Sequence, residues 1–366
     1  MNRRDFLTML SAMAVTELTS LEAAGQTAVT PLKQLADQKG LIFGSSLALK
    51  YFNQSSAYEK LFVDECNIAT PEFHMKWNSL NRQPGIYDFS AADQLVDFCA
   101  QHQMKVRGHT LVWHDSLPPW VSGQLSPATA PNVMLDHIRT VATHFTGKLY
   151  SWDVVNEVLD PGSQRPDGLR NSLWLQNIGT SYIEQAFRAT AAVDPKAILV
   201  WNENYLEVSN GFGAAKRRAL LTQLDVLLER GVPIHGIGLE AHLRGDQASV
   251  LGDASYEAFL SDLAKRKMKI FITELDVQDK TFPADIETRD KSVADIYKKF
   301  LSASLRQSVV QGVVAWGLSD AFTWISGYGP RKDGLPVRPL AFDANYQPKP
   351  AYYAIAEALE TAPRRS

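Results

Sequence analysis

The sequence predicts an α/β protein built as a single (β/α)8 barrel, and three observations carry that prediction. Short apolar, β-branched runs alternate with longer stretches of helical periodicity along the chain from residue 41 onward. Eight such runs can be counted, more than a doubly wound sheet commonly holds. The runs begin apolar and end in polar or aromatic residues, the polarity expected where strands converge on a functional face.

The expected strands are 41–48, 66–72, 105–113, 151–157, 197–204, 234–242, 269–277 and 313–320. Between them, residues 91–102, 133–145, 181–193, 214–230, 256–267 and 292–308 repeat apolar positions at three and four residues, as the outer helices of a barrel should. No Pro/Gly/Ser-rich linker, repeat or low-complexity tract divides the chain, so one catalytic domain over 26–366 follows a leader over 1–25. Within that leader, Asn2-Arg3-Arg4-Asp5-Phe6-Leu7 and the short apolar run after it predict a twin-arginine-type export signal and a periplasmic or secreted protein. The run is too short to span a bilayer, and no membrane association is expected after export.

Composition narrows the function classes. Hydrophobic residues are 45% and charged residues 21%, which excludes a disordered or collagen-like chain. A net charge of -3 from 37 basic and 40 acidic residues leaves no electrostatic footprint for nucleic acid. Cys66 and Cys99 are too few for a disulfide framework and lack zinc-site spacing, so two buried free thiols are expected. His109 and His114 are offset by five along a strand and point to opposite faces, and no HExxH motif occurs; neither a metal nor a cofactor is predicted.

The polar strand ends are Glu72, His109 with Trp113, Asn156 with Glu157, Asn202 with Asn204, Glu240 with His242, Glu274 with Asp276, and Trp316 with Asp320. Glu157 and Glu274 each follow a hydrophobic strand core. Two carboxylates suit acetal chemistry, because glycoside cleavage needs a proton on the leaving oxygen and either a nucleophile or an activated water at the anomeric carbon. An inert sugar-binding barrel would need no such pair.

The chain resembles glycoside hydrolase family 10, the endo-β-1,4-xylanase family, from about residue 41 to 356. The resemblance is carried by Thr70-Pro71-Glu72 through Met75-Lys76-Trp77, by Arg107-Gly108-His109 through Trp113-His114, and by Trp152-Asp153-Val154-Val155-Asn156-Glu157. It continues in Gly236-Ile237-Gly238 with His242, Ile272-Thr273-Glu274-Leu275-Asp276, Trp316-Gly317 with Asp320 and Trp324, and Phe342-Asp343 through Tyr352. It implies a retaining hydrolase of β-1,4-xylan or xylo-oligosaccharides, acting as a monomer, with Glu157 as acid/base and Glu274 as nucleophile. It further implies that Asn156 holds the sugar 2-OH and His242 orients Glu274. Lys76 and His109 would bind the sugar at the cleavage point, Glu72 would reach the next sugar on the non-reducing side, and Trp113, Trp316 and Trp324 would cover sugar faces.

Three positions depart from the family pattern. Phe73 stands where Asn is usual, Asp115-Ser116 where Ser-Gln is usual, and Glu240 where Gln is usual. The first two remove amides that hold sugars on the non-reducing side, which leaves open another β-linked glycan or an aryl glycoside as substrate. The third places another carboxylate beside the catalytic pair and is expected to modulate its titration.

Overall fold

The structure is a computed structural model that describes residues 30–365. The export signal expected over residues 1–25 lies outside the described residues.

Nine parallel strands form the sheet: β1 (Ile42–Leu47), β2 (Ile68–Pro71), β3 (Lys105–Gly108), β4 (Ser151–Asn156), β5 (Ile198–Glu203), β6 (Gly236–Leu239), β7 (His242–Arg244), β8 (Lys269–Gln278) and β9 (Val310–Ala315). Their order is β6-β5-β4-β3-β2-β1-β9-β8-β7, and the further pairing of β6 with β8 closes the ring. Because β6 and β7 both pair with β8, they are two segments of one stave, and the barrel has eight staves. The break between them falls at Glu240 and Ala241; Ala241 has a φ of 61°, in the left-handed region where a ladder cannot continue.

The third stave is shorter than its apolar run. After Gly108 the chain leaves the ladder, yet Leu111 and Val112 donate backbone N–H groups to Asp153 and Val154 of β4. The segment from His109 to Trp113 therefore stays at the barrel mouth. The last long helix, Ile286–Leu305, starts six residues before its apolar periodicity begins. Its first turns are polar, and the Asp285 side chain caps it by accepting from Thr288 N–H at 2.9 Å. Asp253 and Asn210 cap the helices Ala254–Lys265 and Gly211–Glu229 in the same way.

Inside the barrel, Ile42, Ile68, Val200, Phe271 and Val314 form an apolar cluster. Their strands are not all neighbours, so they can meet only across the lumen; they plug it. Further toward the C-terminal ends of the strands the filling becomes polar, with Thr70, Arg107, Asp153, Asn202 and Thr273 all buried. Cys66 and Cys99 are free and buried, as expected. Two elements that periodicity did not reveal close the outer layer: Leu32–Asp37 and Pro350–Thr361, which join the helix ring between the first and last staves. The backbone N–H of Leu32 donates to Glu65 Oε2 at 2.8 Å, and that of Arg365 to the Lys39 carbonyl at 2.7 Å.

Candidate active site

The C-terminal ends of the staves surround a cleft of about 500 Å³. Ten of the eleven residues given a role from sequence line it, Lys76, His109, Trp113, Asn156, Glu157, Glu240, His242, Glu274, Trp316 and Trp324, together with Asp115, Asn204 and Asp276. Glu72 does not. It is buried at the end of β2, where the Tyr51 hydroxyl donates to its Oε1 at 3.4 Å and burial pushes its pKa up to about 7 against the charges of Lys76 and Lys50.

Glu157 follows β4 with a φ of 51°, a left-handed conformation that non-glycine residues adopt rarely and that recurs at functional sites. Its backbone N–H donates to the Asn202 carbonyl of β5 at 3.0 Å, and its carbonyl accepts from Arg170 Nε at 2.7 Å. The turn is thus pinned on both sides while the carboxylate faces the cleft. Burial raises its pKa, and the negative charges of Glu203 and Glu274 reinforce the shift against Lys216 and Arg170. The shift favours the protonated form.

Glu274 lies within β8, and its environment acts the other way. Burial alone would favour the protonated form, but the opposing charges of His109, His242 and Arg107, together with a hydrogen bond from His242, hold its carboxyl well below the usual range. Asn202 Nδ2 donates to Glu274 Oε1 at 2.9 Å, and Arg107 reaches the same oxygen at 3.5 Å. On the other oxygen, Glu274 Oε2, His242 Nε2 stands at 3.3 Å. His242 Nδ1 in turn lies 3.1 Å from Asp276 Oδ1, and the Trp324 indole N–H donates to Asp276 Oδ2 at 2.7 Å. Burial disfavours charge on His242, yet the carboxylates of Asp276 and Glu274 raise its pKa well above the ordinary value.

Asn202 is the hub of this arrangement. Its Nδ2 also reaches Asn156 Oδ1 at 2.8 Å and Glu240 Oε1 at 3.4 Å, while its Oδ1 accepts from the Thr273 hydroxyl at 2.7 Å. With its carbonyl oxygen so engaged, Asn156 keeps its amide N–H groups for the cleft. Gly238 on β6 makes room for the hub, since a Cβ there would stand 2.1 Å from Asn202 Oδ1. Beneath the nucleophile, Arg107 grips Asp153 through Nε and Nη2 and donates from Nη1 to the Thr273 carbonyl at 3.0 Å; Asp153 also holds His109 Nδ1 at 2.8 Å. Strand-end reasoning named Asn202 without a role and gave none to Arg107 or Asp153. The available signal was that two charged residues interrupt otherwise apolar strands, which demands a buried partner.

Glu240 is fully buried beside the pair. Burial and the charges of Glu157 and Glu274 raise its pKa well above normal, so it sits in the cluster as a neutral acid. Glu240, His242 and Glu274 each bring a ligand-type atom to within 4.8 Å of one another. Asn202 and His242 already occupy the Glu274 oxygens, which leaves this trio a hydrogen-bonded cluster.

The cleft walls are aromatic. The Lys76 ammonium lies 5.1 Å from the Trp113 ring and 5.9 Å from Trp316, and Trp324 stacks on Tyr328 with centroids 4.6 Å apart. Flat apolar faces with a few aimed polar groups are what a pyranose needs, one face hydrophobic and the rim hydroxylated.

A closed parallel barrel whose mouth brings together Glu157, biased toward the acid, and Glu274, biased toward the carboxylate, has the pair that glycoside cleavage needs. Residues 31–358 match the family described as Glycosyl hydrolase family 10. The chain is 35% identical over 343 residues to endo-1,4-beta-xylanase B of Thermotoga neapolitana, covering 90% of this chain and 92% of that one. It is 35% identical over 311 residues to a beta-1,4-xylanase of Dictyoglomus thermophilum, covering 82% and 84%. Its structure superposes on xylanase 10B from Thermotoga petrophila RKU-1 in complex with xylobiose with a TM-score of 0.82 at 34% identity, covering 92% and 99%. The chain belongs to glycosyl hydrolase family 10.

Proposed function

We propose that this protein is a retaining endo-β-1,4-xylanase. The observation that carries the reading is the opposite protonation bias of two glutamates on the fourth and seventh staves: the surroundings of Glu157 favour the acid and those of Glu274 the carboxylate. Glu274 attacks the anomeric carbon while Glu157 gives its proton to the departing glycosidic oxygen. Glu157, now the carboxylate, takes a proton from water, which displaces Glu274 from the covalent intermediate. His242, Asn202 and Arg107 fix the nucleophile through hydrogen bonds that need no rearrangement during reaction, which is where electrostatic stabilisation is most effective. Asn156 donates to the 2-OH as positive charge develops on the ring. The choice of xylan is supported by the names of the relatives and by the xylobiose held by the Thermotoga petrophila enzyme.

Rates and early product sizes on unbranched xylan, mixed-linkage glucan and aryl β-xylosides test this. Internal cuts in xylan, giving oligomers before monomer, are expected, and preferential cleavage of the glucan would overturn the substrate. Glu157→Ala should lose roughly 10²–10⁴-fold on xylan. It should lose far less on aryl xylosides whose leaving groups need no proton, with azide restoring turnover of the intermediate. Equal losses on both substrates would remove Glu157 from the acid role.

We also propose export in the folded state, a reading supported by Arg3-Arg4 with the following apolar run and by the two unbridged buried thiols. Replacing both arginines by lysine should retain the enzyme in the cytoplasm; unchanged fractionation would exclude the signal.

A further inference from the structure

The loop that follows Glu157 turns back on itself. Leu159 and Leu169 pair as an antiparallel bridge, Asp160 N–H donates to the Gly168 carbonyl at 2.9 Å, and Arg170 N–H donates to the Val158 carbonyl at 2.7 Å. The hairpin returns Arg170, 13 residues on, to the strand end that the chain had left, where its Nε anchors on the Glu157 carbonyl at 2.7 Å. That anchor fixes the root of the guanidinium and leaves its two Nη groups facing a carboxylate on either side. Nη2 stands 3.9 Å from Glu157 Oε2, and Nη1 stands 3.9 Å from Asp160 Oδ2. Both gaps lie just beyond hydrogen-bond reach. Asp160 is held in its own turn, where it accepts from Gly162 N–H at 3.0 Å and from the Ser163 hydroxyl at 2.9 Å.

The other titratable groups that face Glu157 are already committed or neutral. Lys216, on the helix Gly211–Glu229, is fully buried, and its ammonium meets Glu203 Oε2 at 2.7 Å and the Asn204 side-chain oxygen. Glu203, on β5, also accepts from Leu159 N–H at 2.9 Å and from the Trp201 indole at 3.1 Å. Toward Glu157 that buried pair is close to neutral. Glu274 on β8 is held by Asn202, Arg107 and His242, and Glu240 beside it is protonated. His114, beyond β3, brings Nε2 to 3.9 Å from the same Glu157 oxygen that Arg170 faces. Burial, with the Arg170 charge, pushes the His114 pKa down to about 4, so its imidazole is uncharged at neutral pH. Among the described residues that face Glu157, Arg170 is the cation with no carboxylate in hydrogen-bond reach.

The reaction changes the charge of Glu157 twice. As the acid it needs no cation, and a guanidinium in full contact would draw its proton off too early. As the base of the second step it carries negative charge, and an interaction that strengthens only then speeds that step without tightening substrate binding. We propose that Arg170 is a positioning residue for the second step. Held at its root by the Glu157 carbonyl, it closes on Glu157 Oε2 once the proton has passed to the leaving oxygen, and it aims that carboxylate at the attacking water. The proton of the water then returns to Glu157, the charge is lost and the contact opens; no bond forms or breaks at Arg170 itself. The inference rests on the reading of Glu157 as the acid/base.

The test uses two variants of the full chain: Arg170→Gln, which keeps a donor for the Glu157 carbonyl and removes the charge, and Arg170→Lys, which keeps the charge. Without the cation the Glu157 pKa rises. The alkaline limb of kcat/KM on xylo-oligosaccharides should therefore move up by about one unit in Arg170→Gln and stay near wild type in Arg170→Lys. On an aryl β-xyloside whose phenol leaves unprotonated, release of the intermediate limits the rate. There Arg170→Gln should lose up to about tenfold in kcat with KM falling in parallel, and azide, which attacks without a base, should restore it. A merely structural role would lower kcat on both substrates, leave the limb in place and gain nothing from azide. A limb unmoved in Arg170→Gln, or moved alike in both variants, overturns the inference. If Arg170→Gln does not fold, Arg170→Lys decides alone: a limb at the wild-type position supports the role of the charge, and a displaced one overturns it. The acid/base reading fails separately. An alkaline limb that persists in Glu157→Ala removes Glu157 from that role, whereas one that disappears there and ignores Arg170 sinks this inference only.

Discussion

At the scale of single residues, Glu240 is where this barrel differs most from its relatives' pattern in consequence. It faces Glu157, Glu274, His242 and Lys216, and burial keeps it protonated at neutral pH. The charge of Glu157 contributes to that shift, so Glu240 stays neutral while Glu157 titrates and adds no like charge beside it. Glu240→Gln keeps both the shape and the neutral state, so the alkaline limb of kcat/KM, set by loss of the Glu157 proton, should stay within about half a unit of wild type. The acid limb belongs to Glu274, which three positively charged or polarised neighbours hold ionised, and should stay in place. An alkaline limb displaced to lower pH would show instead that Glu240 carries charge while Glu157 titrates.

At the scale of elements, the outcome turns on how strands present polar atoms inward. β3, β4 and β8 are tied together by Arg107, which holds Asp153 on one stave and the Thr273 carbonyl on another while facing Glu274. Arg107→Met leaves Asp153 buried without its partner, and breaking such a pair costs about 3–5 kcal/mol. Urea denaturation should report that loss. Removing a positive charge from Glu274 also raises its pKa, so the acid limb should move upward in the residual activity; a destabilised variant with an unshifted acid limb would separate the structural role from the electrostatic one. The eight staves were legible because each is a run of apolar residues bounded by turn chemistry. The break between β6 and β7 was not, since nothing in Leu239-Glu240-Ala241-His242 marks a left-handed alanine. The terminal helices were also missed: Leu32–Asp37 is too short for periodicity to register, and Pro350–Thr361 has apolar residues at so many positions, most of them buried, that no single stripe stands out.

At the scale of the whole molecule, barrel closure is what turns two separate glutamates into one site. Glu157 and Glu274 are far apart in sequence and lie on the fourth and seventh staves, so only a ring in which β6 returns to β8 can bring them to one cleft. Strand ends announced the members of that site because the fold concentrates polar groups at its C-terminal face. The support beneath them was hidden, because hydrogen bonds such as Asn202 to Glu274 join residues that no local pattern relates. The same closure gives a stereochemical expectation. A carboxylate held ionised by His242, Asn202 and Arg107, facing the reaction centre without an intervening acid–base partner of its own, is prepared to form a bond rather than to activate a water. Each turnover should therefore proceed by two inversions, and nuclear magnetic resonance of the first product from a xylo-oligosaccharide should show the β-anomer before mutarotation sets in. A 2-deoxy-2-fluoro xylosyl donor, which slows release of the intermediate, should leave a sugar bonded to Glu274 that mass spectrometry can locate. Initial α-anomer would make Glu274 the base of a single displacement by water, and labelling at Glu240 in place of Glu274 would move the nucleophile within this cluster; either leaves the barrel and its cleft as described.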